Sequence, residues 1–367
     1  MPAYEPVIGC PKEDIDTPAL LIDLPAMERN IERMAAFFAD KRAKLRPHAK
    51  THKCPIIAQK QLAAGNIVGI TCAKLGEAEV LVEGGIRDIL IANQIVGPQK
   101  IARLVGLARH ADVMVAVDDP VNVEALSAAA TTAGVQLRVL VEVNIGMNRC
   151  GVEPGQPALA LARKVAESKG LRFMGLQGYE GHLVMRPDFA ERREMALADT
   201  KKLVDTRRLI EGAGLAVEIV SGGGTGTHNI TGTVDGIDEI QAGSYVFMDT
   251  KYRSVGVDFE CALTVLATVI SRPNPLTAIT DAGAKTLTSE FGLPEPKGLA
   301  GASLAKLSEE HGTVKFAAPN TSLKPGDKIE FVVSHGCTTI NLYDRYYALR
   351  DGRLEAVWDI AARGKSR

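Results

Sequence analysis

The sequence carries almost no net charge: 43 lysines and arginines stand against 44 aspartates and glutamates in 367 residues. A chain so balanced supplies no field to gather nucleic acid or an anionic membrane surface, which leaves a small molecule as the expected partner. Runs of eighteen apolar residues are also missing, so a membrane-spanning helix is excluded. The six cysteines stand singly at 10, 54, 72, 150, 261 and 337, with no CxxC pair. That spacing excludes a disulfide framework or a zinc ribbon and points to a reducing cytosol. The stretch from Met1 to Asp16 carries Glu5, Glu13, Asp14 and Asp16 in place of a basic-then-apolar signal pattern, so a cytoplasmic location is expected. No repeat, low-complexity tract or charge run breaks the chain.

What is present is an alternation of short apolar runs with helical patterns. Pro25 to Asp40 places Met27, Ile31, Met34 and Phe38 at helical spacing behind a proline suited to a first turn. Eight strand candidates follow: Leu45–Thr51, Ile67–Ala73, Asp88–Asn93, Val113–Asp118, Leu137–Asn144, Phe173–Tyr179, Val217–Ser221 and Glu239–Tyr245. Near-continuous apolar strands separated by helices predict a parallel sheet covered on both faces, and eight such units fit an α/β fold of the (β/α)8 barrel type. From about Val255 the pattern changes to strands joined by tight turns such as Lys324-Pro325-Gly326-Asp327 and Asp351-Gly352, which predicts a second, β-rich domain. The expected division is a barrel over residues 23–254 and a β-rich C-terminal domain over 255–367, joined by the N-terminal segment 1–22.

A barrel keeps its chemistry at the C-terminal ends of its strands, and the unusual residues gather there. The first strand runs into Arg46-Pro47-His48-Ala49-Lys50-Thr51-His52-Lys53, the sixth into Gln177-Gly178-Tyr179-Glu180-Gly181-His182, and the seventh into Ser221-Gly222-Gly223-Gly224-Thr225-Gly226. Consecutive glycines let backbone N–H groups converge on an anion, and loops after strands seven and eight are the usual phosphate site of barrels. Lys50, flanked by His48 and His52, is a candidate Schiff-base amine in cationic surroundings that disfavour the ammonium; the alternative makes Lys50 and Lys53 phosphate or surface cations. His335-Gly336-Cys337, read as strand, would put imidazole and thiolate on one face as two ligands of a metal, with water or substrate completing the set.

With these segments in view, the chain resembles the fold-type III pyridoxal-phosphate enzymes, and within them the D-threonine aldolase and D-serine dehydratase group. The resemblance runs from Asp16-Thr17-Pro18-Ala19-Leu20 through the Lys50 segment and the glycine loop to Gln241-Ala242-Gly243-Ser244-Tyr245 and Ile360-Ala361-Ala362-Arg363-Gly364. It implies a barrel resembling that of alanine racemase plus a β-domain, in a homodimer. It implies that Lys50 holds pyridoxal 5'-phosphate as a Schiff base and that Arg149 contacts the cofactor's phenolic oxygen. Tyr179 would lie beside the ring, and Gly223, Gly224, Thr225, Gly243, Ser244 and Tyr245 would cradle the phosphate. Gln241 stands where alanine racemase puts an arginine toward the pyridine nitrogen, and a neutral partner there would leave that nitrogen unprotonated. His335 and Cys337 would bind a divalent metal (Mn, Mg or Zn).

The implied reaction is retro-aldol cleavage of a D-3-hydroxy amino acid such as D-threonine to glycine and an aldehyde, with His182 as the base on the substrate hydroxyl. Two features lean toward dehydration of D-serine or a related hydroxy acid instead. Cys337 stands where the aldolases carry an aspartate, and Gly181-His182 follows the dehydratase pattern, with Met185 in place of the aldolases' histidine. Racemisation is a remoter reading that requires a second base, for which Tyr343, Tyr346 and Tyr347 are nominal candidates. His228, at the rim of the glycine loop, is expected to be solvated.

Overall fold

The structure, a computed structural model, describes residues 5–367. The chain divides into two compact units, one formed by Glu32–Gly243 with Gly364–Arg367, the other by the residues up to Ile31 with Ser244–Arg363. Strand β1 (Ala19–Asp23) and helix α1 (Leu24–Phe37) come first. The barrel strands are β2 (Lys44–Leu45), β3 (Ile70–Cys72), β4 (Asp88–Gln94), β5 (Asp112–Val117), β6 (Leu137–Glu142), β7 (Leu171–Gly178), β8 (Ile219–Gly222) and β9 (Glu239–Ile240). Between them run α2 (Pro55–Ala63), α3 (Leu75–Glu83), α4 (Pro98–Leu107), α5 (Pro120–Ala133), α6 (Gln156–Glu167), α7 (Phe189–Gly212) and the single turn α8 (His228–Thr231).

Sheet order is β2-β9-β8-β7-β6-β5-β4-β3, all neighbours parallel, and the bridges Leu45↔Ile67 and His48↔Thr71 join the two ends. The expected eight-stranded barrel is present. Helix starts follow local chemistry: Pro55, Pro98 and Pro120 open α2, α4 and α5, and the Asp119 side chain accepts from the N–H groups of Val121 and Asn122. Several strands are shorter than the sequence predicts: β3 keeps only Ile70–Cys72, β6 stops at Glu142, and the first and last keep two residues each. The first ends at Leu45 because Pro47 cannot donate to the ladder, and the last ends at Ile240 before a turn that begins at Ser244.

Inward-facing side chains form three layers along the barrel axis. At the N-terminal ends of the strands, buried Arg46 reaches Glu239 through two hydrogen bonds (2.9 and 2.7 Å) and Asp88 through one (2.5 Å), and Arg138 also binds Asp88. Gly69 is forced there, since a Cβ would lie 2.1 Å from the Arg46 guanidinium. The middle layer is apolar: Leu90, Met114, Leu140 and Met174, one each from β4 to β7. The uppermost layer, at the C-terminal ends, is built from Gln94, Glu142, Gln177 and Gln241.

The second unit is a nine-stranded, mostly antiparallel sheet. After helix α9 (Thr250–Ser254) its strands are β10 (Leu263–Asn274), β11 (Thr277–Thr280), β12 (Glu295–Pro296), β13 (Ala302–Leu307), β14 (Gly312–Phe316) and β15 (Lys328–Val332). Helix α10 (Gly336–Ile340), β16 (Arg345–Arg350) and β17 (Arg353–Asp359) complete it. The path runs β13-β14-β11-β10-β1-β16-β17, with β15 also on β10 and β12 on β15. β1 is therefore an interior strand, antiparallel to β10 and parallel to β16, and its Ala19 and Leu21 pack with Ile15, Leu266, Leu349 and Leu354. Met1–Tyr4, within the segment assigned to this domain by sequence, lie outside the described residues.

Candidate active site at the barrel mouth

The turn after β2 sorts the two candidate lysines. Lys53, in a left-handed conformation (φ 53°), gives its ammonium to the buried carboxylate of Glu77. Lys50 is exposed, and its Nζ has no hydrogen bond or ion pair among the described residues. One amine is committed to structure and the other is available. The flanking histidines do not supply the positive charge the sequence placed around Lys50. His52 is fully buried against Gln61 (3.2 Å), and burial pushes it down to about 4. Burial, with the charge of Lys50 added, holds His48 well below the usual imidazole range.

Going round the mouth from this turn, the next segment is Gly243, where a Cβ would lie 2.7 Å from Thr51 Oγ1 and 2.8 Å from the His48 carbonyl. The glycine loop comes next. Gly223 takes φ +67°, and a Cβ there would lie 2.9 Å from Ile240; at Gly224 it would lie 3.1 Å from the Tyr179 hydroxyl. Each glycine is required by close packing, and the buried N–H groups of Gly223 and Gly226 have no acceptor among the described residues. Buried backbone donors left over in a turn are what an anion such as a phosphate requires. His228 is buried rather than solvated: its Nδ1 donates to the Thr225 carbonyl (2.8 Å) and its ring meets Phe37 edge-on, so burial pushes it down to about 4.

Tyr179 stands between this loop and the segment after β6. Its ring touches the Gly224 position on one side, a Cβ at Gly181 would lie 2.4 Å from it, and the Arg149 guanidinium sits 6.0 Å from its centroid. The structure thus gathers the Lys50 turn, Gly223, Gly224, Thr225, Tyr179, Arg149, Gln241 and Gly243 at one end of the barrel. His182 follows on the same loop, with Nε2 3.1 Å from Asp199 of α7, a carboxylate that also takes Lys202 (2.8 Å). Asp199 was not visible from sequence, because it lies on an outer helix among many charged residues.

Beneath the mouth lies a layer of buried amides and a carboxyl that the sequence reading also missed. Gln94 Nε2 donates to Glu142 (2.5 Å), and Gln241 Nε2 donates to Gln177 Oε1 (3.1 Å) and Ser221 Oγ (2.9 Å). Burial lifts the Glu142 carboxyl above its ordinary range, opposed by the Gln94 and Gln177 amides and the Arg149 charge. The available signal was a polar residue closing an otherwise apolar strand, as in Leu137-Arg138-Val139-Leu140-Val141-Glu142.

In the other unit, Ser244 opens a tight turn and Tyr245 is fully buried beside Phe259 (5.7 Å between rings). The His335-x-Cys337 pair is not in a strand, as the sequence reading had it. β15 ends at Val332 and the pair sits at the start of α10, with His335 as its N-cap. A helical turn still brings imidazole and thiol within hydrogen-bonding reach. Behind them the buried Asp249 accepts from His335 Nδ1 (2.9 Å), the arrangement that orients a metal-binding histidine. Burial opposes protonation of His335, but the Asp249 and Cys337 partners outweigh it and hold the imidazolium up to about 10. Among the described residues no cluster of three His, Cys, Asp or Glu side chains has metal-holding geometry, so the pair offers two donors only.

Comparison with known proteins matches both parts of the chain. Residues 22–251 match the alanine racemase N-terminal domain family, and residues 262–349 match a serine dehydratase domain. A D-threonine aldolase from an Arthrobacter species is 41% identical over 98% of this chain and 96% of its own length. A 3-hydroxy-D-aspartate aldolase from Paracoccus denitrificans is 37% identical over 97% of this chain and 94% of its own. The crystal structure of D-threonine aldolase from Filomicrobium marinum superposes with a TM-score of 0.95 at 41% identity, covering 98% of this chain and 99% of that one.

Proposed function

The chain belongs to the alanine racemase N-terminal domain family, and from that premise we propose that it is a pyridoxal-phosphate-dependent lyase cleaving D-3-hydroxy amino acids to glycine and an aldehyde. The observation that carries this reading is the likeness to a D-threonine aldolase at 41% identity along both units. The barrel mouth fits the cofactor: an unpaired lysine amine, a glycine loop with unused buried N–H groups and an aromatic ring beside it lie at one strand-end surface. Bound there, pyridoxal phosphate supplies an electron sink for the bond broken at the substrate's Cα.

The residues divide the remaining work. Lys50 would hold the cofactor through its unpaired amine. Gly223, Gly224, Thr225, Gly243, Ser244 and Tyr245 would hold its phosphate, Arg149 its phenolic oxygen, Tyr179 its ring face and Gln241 its ring nitrogen. His182 accepts the proton of the substrate's β-hydroxyl as the Cα–Cβ bond opens, with Asp199 orienting the imidazole. His335 and Cys337, with Asp249 behind the histidine, would hold a divalent cation, and such an ion would supply a Lewis acid that lowers a hydroxyl's pKa. We expect a homodimer in a reducing cytosol, consistent with six cysteines free of disulfides.

A second reading has a specific observation behind it: residues 262–349 match a serine dehydratase domain, and Cys337 lies within it. Under that reading water leaves Cβ and a keto acid and ammonia appear. Incubating the cofactor- and metal-loaded protein with D-threonine and with D-serine separates the two. Glycine and acetaldehyde from D-threonine are the expected products; a keto acid with no glycine would transfer the assignment to dehydration.

A further inference from the structure

Helix α3 carries a glycine in its first turn that no backbone requirement explains. Gly76 is buried and helical, and alanine there would be the better helix former. The explanation is what occupies the space of the missing side chain. A Cβ would lie 2.7 Å from the carbonyl oxygen of Arg367 and 3.2 Å from both the Cβ and the carbonyl oxygen of Lys365, its three nearest atoms beyond its own helix and chain neighbours. The Gly76 N–H stands too early in the helix to find a helical carbonyl, and it donates to the Arg367 carbonyl instead (2.8 Å). The same oxygen accepts from Arg103 of α4 (3.3 Å), whose guanidinium also holds Glu79 of α3 through two bonds (2.8 and 2.6 Å). Gly364–Arg367, which groups with the barrel, is thus a strap seated in a notch that only glycine leaves open.

The next residue of α3 reaches the lysine turn. Glu77, 3% exposed, accepts from the N–H groups of Ala73 (2.8 Å) and Lys74 (3.0 Å) with one oxygen and takes the Lys53 ammonium with the other. Lys53 closes the turn, because its N–H donates to the Ala49 carbonyl (2.7 Å), and the Ala49 N–H donates to Thr71 of β3 (2.7 Å). Lys50 therefore sits in a loop fixed at one end by β3 and at the other by α3. We propose that residues 364–367 are a positioning segment for Lys50: seated on Gly76, they fix the first turn of α3, and through Glu77 and Lys53 that turn fixes the loop carrying the amine. The inference rests on the reading that Lys50 binds pyridoxal phosphate.

The coupling follows from rigidity. Gly76 and Glu77 are consecutive residues of one helical turn, so the backbone carries a displacement of the first to the second. A buried carboxylate cannot exchange Lys53 for water at no cost, so the ion pair moves with the turn. Without the strap the Gly76 N–H loses its partner, and helix ends without partners fray.

The test compares the full chain, the full chain with Gly76→Ala, a chain lacking Lys365–Arg367, and that shortened chain with Gly76→Ala. In the full chain the added methyl meets the Arg367 carbonyl, so Gly76→Ala should lower the thermal midpoint; in the shortened chain that oxygen is gone and the same change should raise it. The same sign in both chains overturns the proposal. Positioning is read separately. Fluorescence titration with pyridoxal phosphate should show Kd raised roughly fivefold or more by Gly76→Ala in the full chain and by the shortening. Amide exchange over residues 49–53 should speed up in both. A segment that only stabilised the fold would move the midpoint and leave Kd and this exchange unchanged, which also overturns the proposal. Lys53→Met breaks the link at its other end, so shortening a Lys53→Met chain should weaken cofactor binding no further. If the shortened chain fails to fold, Gly76→Ala in the full chain still decides through Kd and exchange. A wild type that binds no cofactor refutes the functional reading, while the sign reversal and the exchange over 49–53 still decide the strap.

Discussion

Replacing Arg46 by Met should damage the barrel far more than its position away from the chemistry implies. Its guanidinium makes two bonds to Glu239 and one to Asp88, and the side chains of Arg46 and Glu239 are 2% and 6% exposed. Without Arg46, Asp88 still has Arg138 at 2.9 Å, so the cost falls on Glu239, which becomes a buried charge without its partner. Breaking a buried pair from one side costs roughly 3–5 kcal/mol. Glu239 also begins β9, whose two residues lead directly to Gln241, so the cofactor site should loosen as the fold does. Denaturant unfolding followed by far-UV circular dichroism, with cofactor affinity measured in parallel, reads both effects. The double variant Arg46→Met/Glu239→Leu removes the orphaned charge and should recover most of the loss. A single variant within about 1 kcal/mol of the wild type would refute the argument, as would a double variant less stable than the single.

Acid should destabilise the protein well above the range of ordinary carboxylates. His52 and His228 are held at about 4 in the fold against 6.5 unfolded, so the unfolded state binds the extra protons. Their contribution is complete above pH 6.5 and is lost as pH falls toward 4, about 3 kcal/mol for each group. Calorimetry across that window checks it, and His228→Phe should flatten the slope. Gly224→Ala should place a methyl 3.1 Å from the Tyr179 hydroxyl, where overpacking of about 1–3 kcal/mol weakens cofactor binding roughly tenfold or more, read by fluorescence titration. Asp199→Asn should lower turnover roughly 10²-fold with little change in KM, because it leaves His182 in place but unaligned; an unchanged kcat would remove His182 from the chemistry.

The barrel was largely readable because its information is local. Asp88–Gln94 and Leu137–Glu142 are apolar runs bounded by helical patterns, and each pairs with its neighbour in sequence. The β-domain was less so. β1 looks like a short apolar stretch after Thr17-Pro18, and what makes it a strand are partners more than 240 residues along the chain. Strand β13 leaves little trace in the sequence because Ala302–Leu307 buries little and shows weak alternation. At the site, the lysine segment and glycine loop carried their own signature. The choice between Lys50 and Lys53 did not, since it depends on Glu77 of α3. Glu142, Gln177 and Gln241 likewise acquire their meaning only when strand order brings three strand ends together.

The central claim is that the amine of Lys50 carries the cofactor while that of Lys53 is structural. Borohydride reduction of the pyridoxal-phosphate-loaded protein, followed by peptide mapping, should find the phosphopyridoxyl label on Lys50, with no label in Lys50→Ala and full label in Lys53→Ala. A label on Lys53 or elsewhere, or none at all, would contradict the account.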